Sequence, residues 1–235
     1  MQLDKHVLCG LDDRFIDREC LSHAVHDEIL VPFQALQEAG VIEGFELKIV
    51  SAYRDFPRQL AIWNDKVVGN RAVFDAQGLP LDVSVLDHWQ LAQAILRWSA
   101  LPGASRHHWG TDIDIYDKAA VPDGYDVQLT EAEVSGNGPF VAMHDWLDIK
   151  IENNDSMGFF RPYQDDRGGI GPERWHLSYA PLAVEYQRAL SPDYLFEILD
   201  SQPILLKDVL LDHMDEIYHR YVAVEKSLYP AAYRW

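Results

Sequence analysis

Apolar residues in the first forty positions recur at helical spacing. In "DRECLSHAVHDEILVPFQALQEA" (17–39), Leu21, Val25, Ile29, Leu30 and Phe33 fall on one stripe, which predicts a helix kinked or broken at Pro32. Gly40 and Gly44 then bracket a turn. The segment "FELKIVSAY" (45–53) alternates and is rich in strand formers. Two helices follow, "RDFPRQLAIWNDKVV" with Asp55 as cap and Pro57 in its first turn, and "DHWQLAQAILRWSAL" with Asp87 as cap. Pro102 and Gly103 lead out of the second helix into a loop and then a strand. On that strand Ile113 and Ile115 share one face, while Asp112 and Asp114 share the other. The polar stretch between Asp117 and Gly138 reads as an insertion or lid, with Glu131 and Glu133 as solvated charges. "PFVAMHDWLDIKIENN" predicts a helix. "MGFFRPY" and "ERWHLSYA" predict short strands around a turn-rich linker, and the chain is mostly helical from Pro181 to about Ala223. Helices and hairpin-like strands do not alternate as regular βαβ units. The class is therefore α+β, a small, mostly antiparallel sheet flanked by helices, with a helical C-terminal extension.

Composition narrows the function. The chain has 235 residues, 48% hydrophobic and 25% charged, which suits one domain with a sizeable core. Its formal net charge of -18 opposes nucleic acid or an anionic membrane as a partner, so a small anionic ligand needs a local cation. The N-terminal "MQLDKHVLCGLDDRFIDREC" lacks a basic stretch followed by an apolar one, so the expectation is no secretory signal and a cytoplasmic location. No run approaches the roughly 18 apolar residues of a membrane span. Cys9 and Cys20 read as free thiols. The amphipathic "LLKDVLLDHMDEIYHRY" reads as packing on the domain, with a homodimer contact as its second use; His213 and His219 within it read as surface residues.

Chemistry concentrates in two places. "SRHHWGTDID" (105–114) holds two histidines and two aspartates, and "ERWHLSY" (173–179) holds a glutamate and a histidine. An irregular strand start after Gly171 and Pro172 lets Glu173 approach whatever His176 holds. Two histidines, a carboxylate ligand and a separate acid are what a catalytic zinc site requires: three protein ligands, an open position for water and a carboxylate for the proton. Singly, each piece is weak, since a lone strand histidine is usually core or surface and an aspartate beside a glycine is usually turn chemistry. Trp109 and Trp175 fit either pocket walls or core. Cys20, His23 and His26 read as an ordinary helix face.

Jointly the pieces form an ordered pattern. "SAYRDFPRQ" (51–59) fits S-x-Y-R-x-x-x-x-Q, "SRHHWGTDID" fits S-x-H-x-x-G-x-x-x-D, and "ERWH" fits E-x-W-H. With these blocks the chain resembles the zinc peptidase group of lysostaphin, D-alanyl-D-alanine metallopeptidases and sonic hedgehog, and most of all its D-alanyl-D-alanine carboxypeptidase branch. The likeness covers roughly residues 45–180. It frames a single domain over 1–235, with helical elaborations at 14–40 and 181–235. The resemblance implies one zinc ion held by His107, Asp114 and His176, with Glu173 as general base and acid. It also implies Arg54 at the reacting carbonyl, and Ser105 and Gln59 at the substrate. Position 112 is commonly alanine in that pattern and is Asp112 here; a second carboxylate there competes for the metal or caps a backbone group. His108 similarly shadows His107.

The implied activity is hydrolysis of D-alanyl-D-alanine-type bonds in peptidoglycan stem peptides or the free dipeptide, as a D,D-carboxypeptidase or D,D-dipeptidase. Two alternatives stand beside it. A non-catalytic zinc module of the same fold would need neither Glu173 nor Arg54. A wall-lytic endopeptidase usually carries a basic face or a wall-binding domain, and neither is visible here.

Overall fold

The computed structural model describes residues 3–235. Six strands occur among them: β1 (Ile16–Asp17), β2 (Val25–His26), β3 (Leu47–Ser51), β4 (Asp112–Asp117), β5 (Phe159–Phe160) and β6 (His176–Tyr179). Ten α-helices accompany them: α1 (Lys5–Leu8), α2 (Leu30–Ile42), α3 (Phe56–Val67), α4 (His88–Trp98), α5 (Glu131–Val134), α6 (Val141–Glu152), α7 (Ala180–Ala189), α8 (Pro192–Asp200), α9 (Lys207–Asp212) and α10 (Met214–Ile217). β1 and β2 form a small hairpin, and the others form one antiparallel sheet in the order β3-β4-β6-β5. The fold is α+β, as the pattern predicts.

The two faces of the sheet differ because β4 alternates. Ile113 and Ile115 point to one side and pack with Leu47, Ile49 and Leu177 against Phe33 and Leu36 of α2 and Met143 and Leu147 of α6. Asp112, Asp114, His176 and Ser178 take the other side. There they meet the shell around a larger core built from α3, α4 and the C-terminal helices. Leu195, Ile198, Leu199, Leu210, Met214 and Ile217 are buried in that core, whereas Tyr194 and Phe196 of α8 remain exposed. No helix among the described residues is long and apolar enough to cross a membrane.

Local chemistry explains the helix starts. Asp55 accepts from the Arg58 N–H, and Asp87 closes a reciprocal capping box with Gln90, as expected for both. The N-terminal reading needs correction. Residues 17–39 are not one helix, and the 14–40 elaboration is a hairpin followed by α2. Val25 lies in β2, and the helix begins at Leu30, with Pro32 in its first turn where no N–H is missed. The hairpin seats on the loop of the second motif, where the His26 N–H donates to Gly110 O at 2.9 Å. Gly110 has φ +66°, and a Cβ there would sit 2.6 Å from His26 N, so the motif glycine serves both a left-handed turn and a close approach. Gly40 does not bracket a turn; it is buried inside α2, where a Cβ would sit 2.6 Å from a Leu47 methyl. Cys20, His23 and His26 share no helix face, and Cys9 and Cys20 are both free. Glu133 is buried rather than solvated, accepting from Tyr125 Oη and from the Gln128 and Thr130 N–H groups.

Candidate active site and metal centre

Register brings the second and third motif blocks together. Asp114 on β4 lies directly opposite His176 on β6, and Asp112 lies opposite Ser178. His107 arrives from the short helical turn Arg106–Trp109 that precedes β4. Asp114 Oδ1 is 3.1 Å from His176 Nδ1, and Oδ2 is 3.4 Å from His107 Nε2. One ligand atom from each of the three lies within 4.8 Å of the others, and all three residues are buried. The ring orientations are fixed from behind. The Ala52 carbonyl lies 2.8 Å from His107 Nδ1 and can only accept, so Nδ1 carries the proton and the Nε2 lone pair faces the cluster. Burial lowers the His107 pKa to about 4, with Arg54 and His176 adding to the effect. Burial alone would also lower His176, but Asp112 and Asp114 outweigh it and raise the ring to about 10.

His108 is not part of the cluster. The Gly103 N–H donates to its Nε2 at 3.0 Å, so Nδ1 bears the proton and donates to Arg54 O at 2.6 Å. His108 therefore ties the loop to the chain at Arg54, and the Arg54 N–H in turn donates to His107 O.

The first block approaches through an irregularity. The β3–β4 pairing slips between Ile49 and Ser51, so that Ser51 stands opposite Asp114. Arg54, three residues on, is aimed by Ser51 Oγ (3.2 Å from Nη2) and by Gln59 Oε1 (2.8 Å from Nη1). Gln59 is fully buried and gives its amide N–H to Ala100 O at 2.6 Å, so both ends of that amide are engaged behind Arg54. Ser105 is also buried, and its Oγ has no hydrogen-bond partner among the described residues.

Glu173 sits at a turn rather than on a strand. The His176 N–H donates to Glu173 O, and this folds the Glu173 carboxylate back to 3.7 Å from His176 Nδ1. Its side chain is 18% exposed. Burial pushes the carboxyl up to about 7, with Asp114 reinforcing and His176, Arg54 and Lys66 opposing. Lys66 is a second cation that no motif indicated. It stands on α3 seven residues after Gln59, within Coulombic range of Arg54, Arg71 and Glu173. Burial lowers its pKa to about 8, helped by those two arginines. Its only signal in the sequence is helical spacing from Gln59.

Trp109 and Trp175 are both core. Trp109 donates from Nε1 to Leu8 O, and Trp175 packs with Val134 and Phe140.

Asp112 lies beyond the cluster and contacts the opposite edge of His176. Its Oδ1 is 2.9 Å from His176 Nε2 and 2.8 Å from Arg106 Nε. Arg106, 2% exposed, also contacts Ser178 Oγ, Gln187 Oε1 and Tyr229 Oη. Burial would push the Asp112 carboxyl up, yet Arg106 and His176 hold it well below the usual range. A buried pair of this kind is costly to break because the remaining charge stays desolvated. Arg106→Ala is expected to lower stability by about 3–5 kcal/mol and the melting temperature by roughly 10 °C in calorimetry. A shift below about 2 °C would mean that Asp112 is not held by Arg106 in solution.

The family described as "VanY: D-alanyl-D-alanine carboxypeptidase" matches residues 22–182, more than half of the chain and all three motif blocks. The chain belongs to this family. Its relatives include a Haemophilus influenzae protein of uncharacterised function, 34% identical over 52% of this chain and 92% of that protein. A D-alanyl-D-alanine carboxypeptidase of Enterococcus faecalis is 29% identical over 77% of this chain, which spans 59% of its length. Among solved structures, a mutant of the vancomycin-resistance D,D-pentapeptidase VanY in complex with Zn(II) is similar at 24% identity and a TM-score of 0.49, over 78% of this chain and 92% of that one. The four-stranded sheet and the His107, Asp114, His176 cluster lie within the residues that the family model matches.

Proposed function

We propose that the chain is a zinc-dependent peptidase that removes D-alanine from D-alanyl-D-alanine-type termini, in peptidoglycan stem peptides or the free dipeptide. The observation that carries this reading is the placement of one carboxylate, Glu173, and one guanidinium, Arg54, beside a cluster of two histidines and an aspartate. The donor set fits zinc: the His107 imidazole with its Nε2 lone pair facing the cluster, a second imidazole from His176 and the Asp114 carboxylate, the three-ligand pattern of catalytic sites. When bound, zinc supplies Lewis acidity at the scissile carbonyl and lowers the pKa of water toward about 7.

The protein's own groups do the rest. Glu173, near neutrality and within reach of His176, takes the proton of the attacking water and delivers it to the leaving amine. Arg54, aimed by Ser51 and Gln59, meets negative charge on the substrate, in a chain whose net charge of -18 otherwise repels it. Gln59 acts through Arg54. The unpartnered Ser105 Oγ offers a hydrogen bond to the substrate carboxylate. A purely structural or partner-binding zinc module has no use for Glu173 and Arg54 at this spot, and the acidic chain does not suit adhesion to an anionic wall.

The direct test is incubation of zinc-loaded protein with D-Ala-D-Ala, a muramyl pentapeptide and a tetrapeptide, with products read by mass spectrometry. Release of D-alanine from the first two supports the reading. Cleavage of the tetrapeptide alone would move specificity to L,D bonds, and no cleavage of any would overturn the reading. Arg54→Lys supplies a sharper check on the cation. Lysine keeps charge but loses the planar fork, so kcat/KM should fall by about 10², the scale of one lost oxyanion donor. Zinc content should stay the same, and parent-like kinetics would reduce Arg54 to a diffuse charge.

A further inference from the structure

The polar face of the sheet holds a second carboxylate that the three ligands do not explain. Asp112 and Asp114, two residues apart on β4, bracket the His176 ring: Asp114 Oδ1 lies 3.1 Å from Nδ1 and Asp112 Oδ1 2.9 Å from Nε2. Both nitrogens of one imidazole are thus committed, each to a different aspartate. Asp112 cannot join the cluster on the Nδ1 side while it holds the far edge of the ring.

The surroundings of Asp112 are built to keep it there. It is 0% exposed. Oδ1 also accepts from Arg106 Nε at 2.8 Å, and Oδ2 accepts from Thr111 Oγ1 at 2.7 Å and Ser178 Oγ at 3.1 Å. Arg106 is fixed in turn. It donates to Ser178 Oγ at 2.6 Å and to Gln187 Oε1 and Tyr229 Oη at 3.2 Å, and it lies 4.7 Å from the centre of the Trp109 ring. Tyr229 donates to Gln187 Oε1 at 3.0 Å. A continuous line of contacts therefore runs from the C-terminal segment through Arg106 and Asp112 to His176.

We infer that Asp112 is a positioning residue for the metal. It accepts the Nε2 proton of His176, fixes the tautomer that offers Nδ1 to the ion, and increases the electron density of that nitrogen. Arg106, anchored by Gln187 and Tyr229, keeps Asp112 in place. This inference rests on the reading of His107, Asp114 and His176 as metal ligands. Its physical basis is general: a ligating imidazole whose other N–H meets a carboxylate is held in one orientation and is more basic, and removing such a partner weakens metal binding about 10–100-fold.

The experiment measures zinc affinity by chelator competition for the parent, Asp112→Asn and Asp112→Ala, together with apoprotein melting temperatures and histidine ring 15N spectra. The expected result is one zinc per chain in all three, with the dissociation constant raised about 10–100-fold in the variants and most in Asp112→Ala. A merely structural Asp112 would lower the melting temperature but leave the zinc affinity of the folded fraction unchanged, and that outcome overturns the inference. Should the variants not fold, the parent spectra decide. His176 protonated at Nε2 and coordinated through Nδ1 supports the inference, and coordination through Nε2 overturns it. A parent that holds no zinc overturns the ligand reading and the inference with it, whereas a zinc-loaded parent matched by Asp112→Asn overturns the inference alone.

Discussion

The His176→Ala protein is expected to purify with almost no zinc and to hydrolyse peptides no faster than the metal-free parent. On the proposed reading His176 is one of three ligands, and one donor atom from each lies within 4.8 Å of the others. Two donors do not make the three-ligand site that holds zinc while leaving a position open for water. The substitution also leaves Asp112 and Asp114 facing each other across an emptied space, without the ring that contacts both. His107→Ala and Asp114→Ala should behave alike. The informative contrast is His108→Ala. That ring is as deeply buried, but it serves Arg54 O and the Gly103 N–H, so its loss should cost about 1–3 kcal/mol of stability and leave zinc bound. Metal analysis of the four purified variants checks the assignment. A stoichiometric zinc content in His176→Ala would refute it.

Glu173→Gln should do the opposite, retaining zinc and fold while losing the reaction. Glutamine preserves the shape of the side chain but cannot take a proton from water. Removing positioned acid–base catalysis lowers rates by about 10²–10⁴, which here should appear in kcat with KM little changed. The environment of Glu173 favours this role. Burial lifts the carboxyl to about 7 in the metal-free protein, and the turn after Pro172 places it 3.7 Å from His176 Nδ1. Steady-state kinetics on a peptide ending in D-Ala-D-Ala, with zinc content measured on the same sample, provides the check. A variant within about tenfold of the parent would make Glu173 structural and remove the proton carrier from the mechanism.

Parts of the structure were readable from the chain because they depend on neighbours in sequence. Asp55 and Asp87 cap helices through N–H groups three residues away, which is a local event. The alternation of Asp112, Ile113, Asp114 and Ile115 fixes two faces on any strand. The helix expected across 17–39 failed because Leu21, Val25 and Ile29 at helical spacing also suit a hairpin followed by a helical turn. The choice went to the hairpin seated on Gly110, a partner some eighty residues along the chain.

The sequence by itself determined the donor types, their spacing and, through three ordered blocks, the family. It could not determine what Asp112, Gln59 or Lys66 does. Asp112 was open between competing for metal and capping backbone, until pairing with β6 set it against His176, 64 residues away. Gln59 matched a substrate residue by motif, yet packing turned its amide toward Arg54 and Ala100, 41 residues on. Lys66 had no motif, and only the docking of α3 brought it near Glu173. The reason is common to all three. A side chain's chemistry is set by its composition, but its protonation, partner and direction depend on which distant groups the fold places within hydrogen-bonding or Coulombic reach.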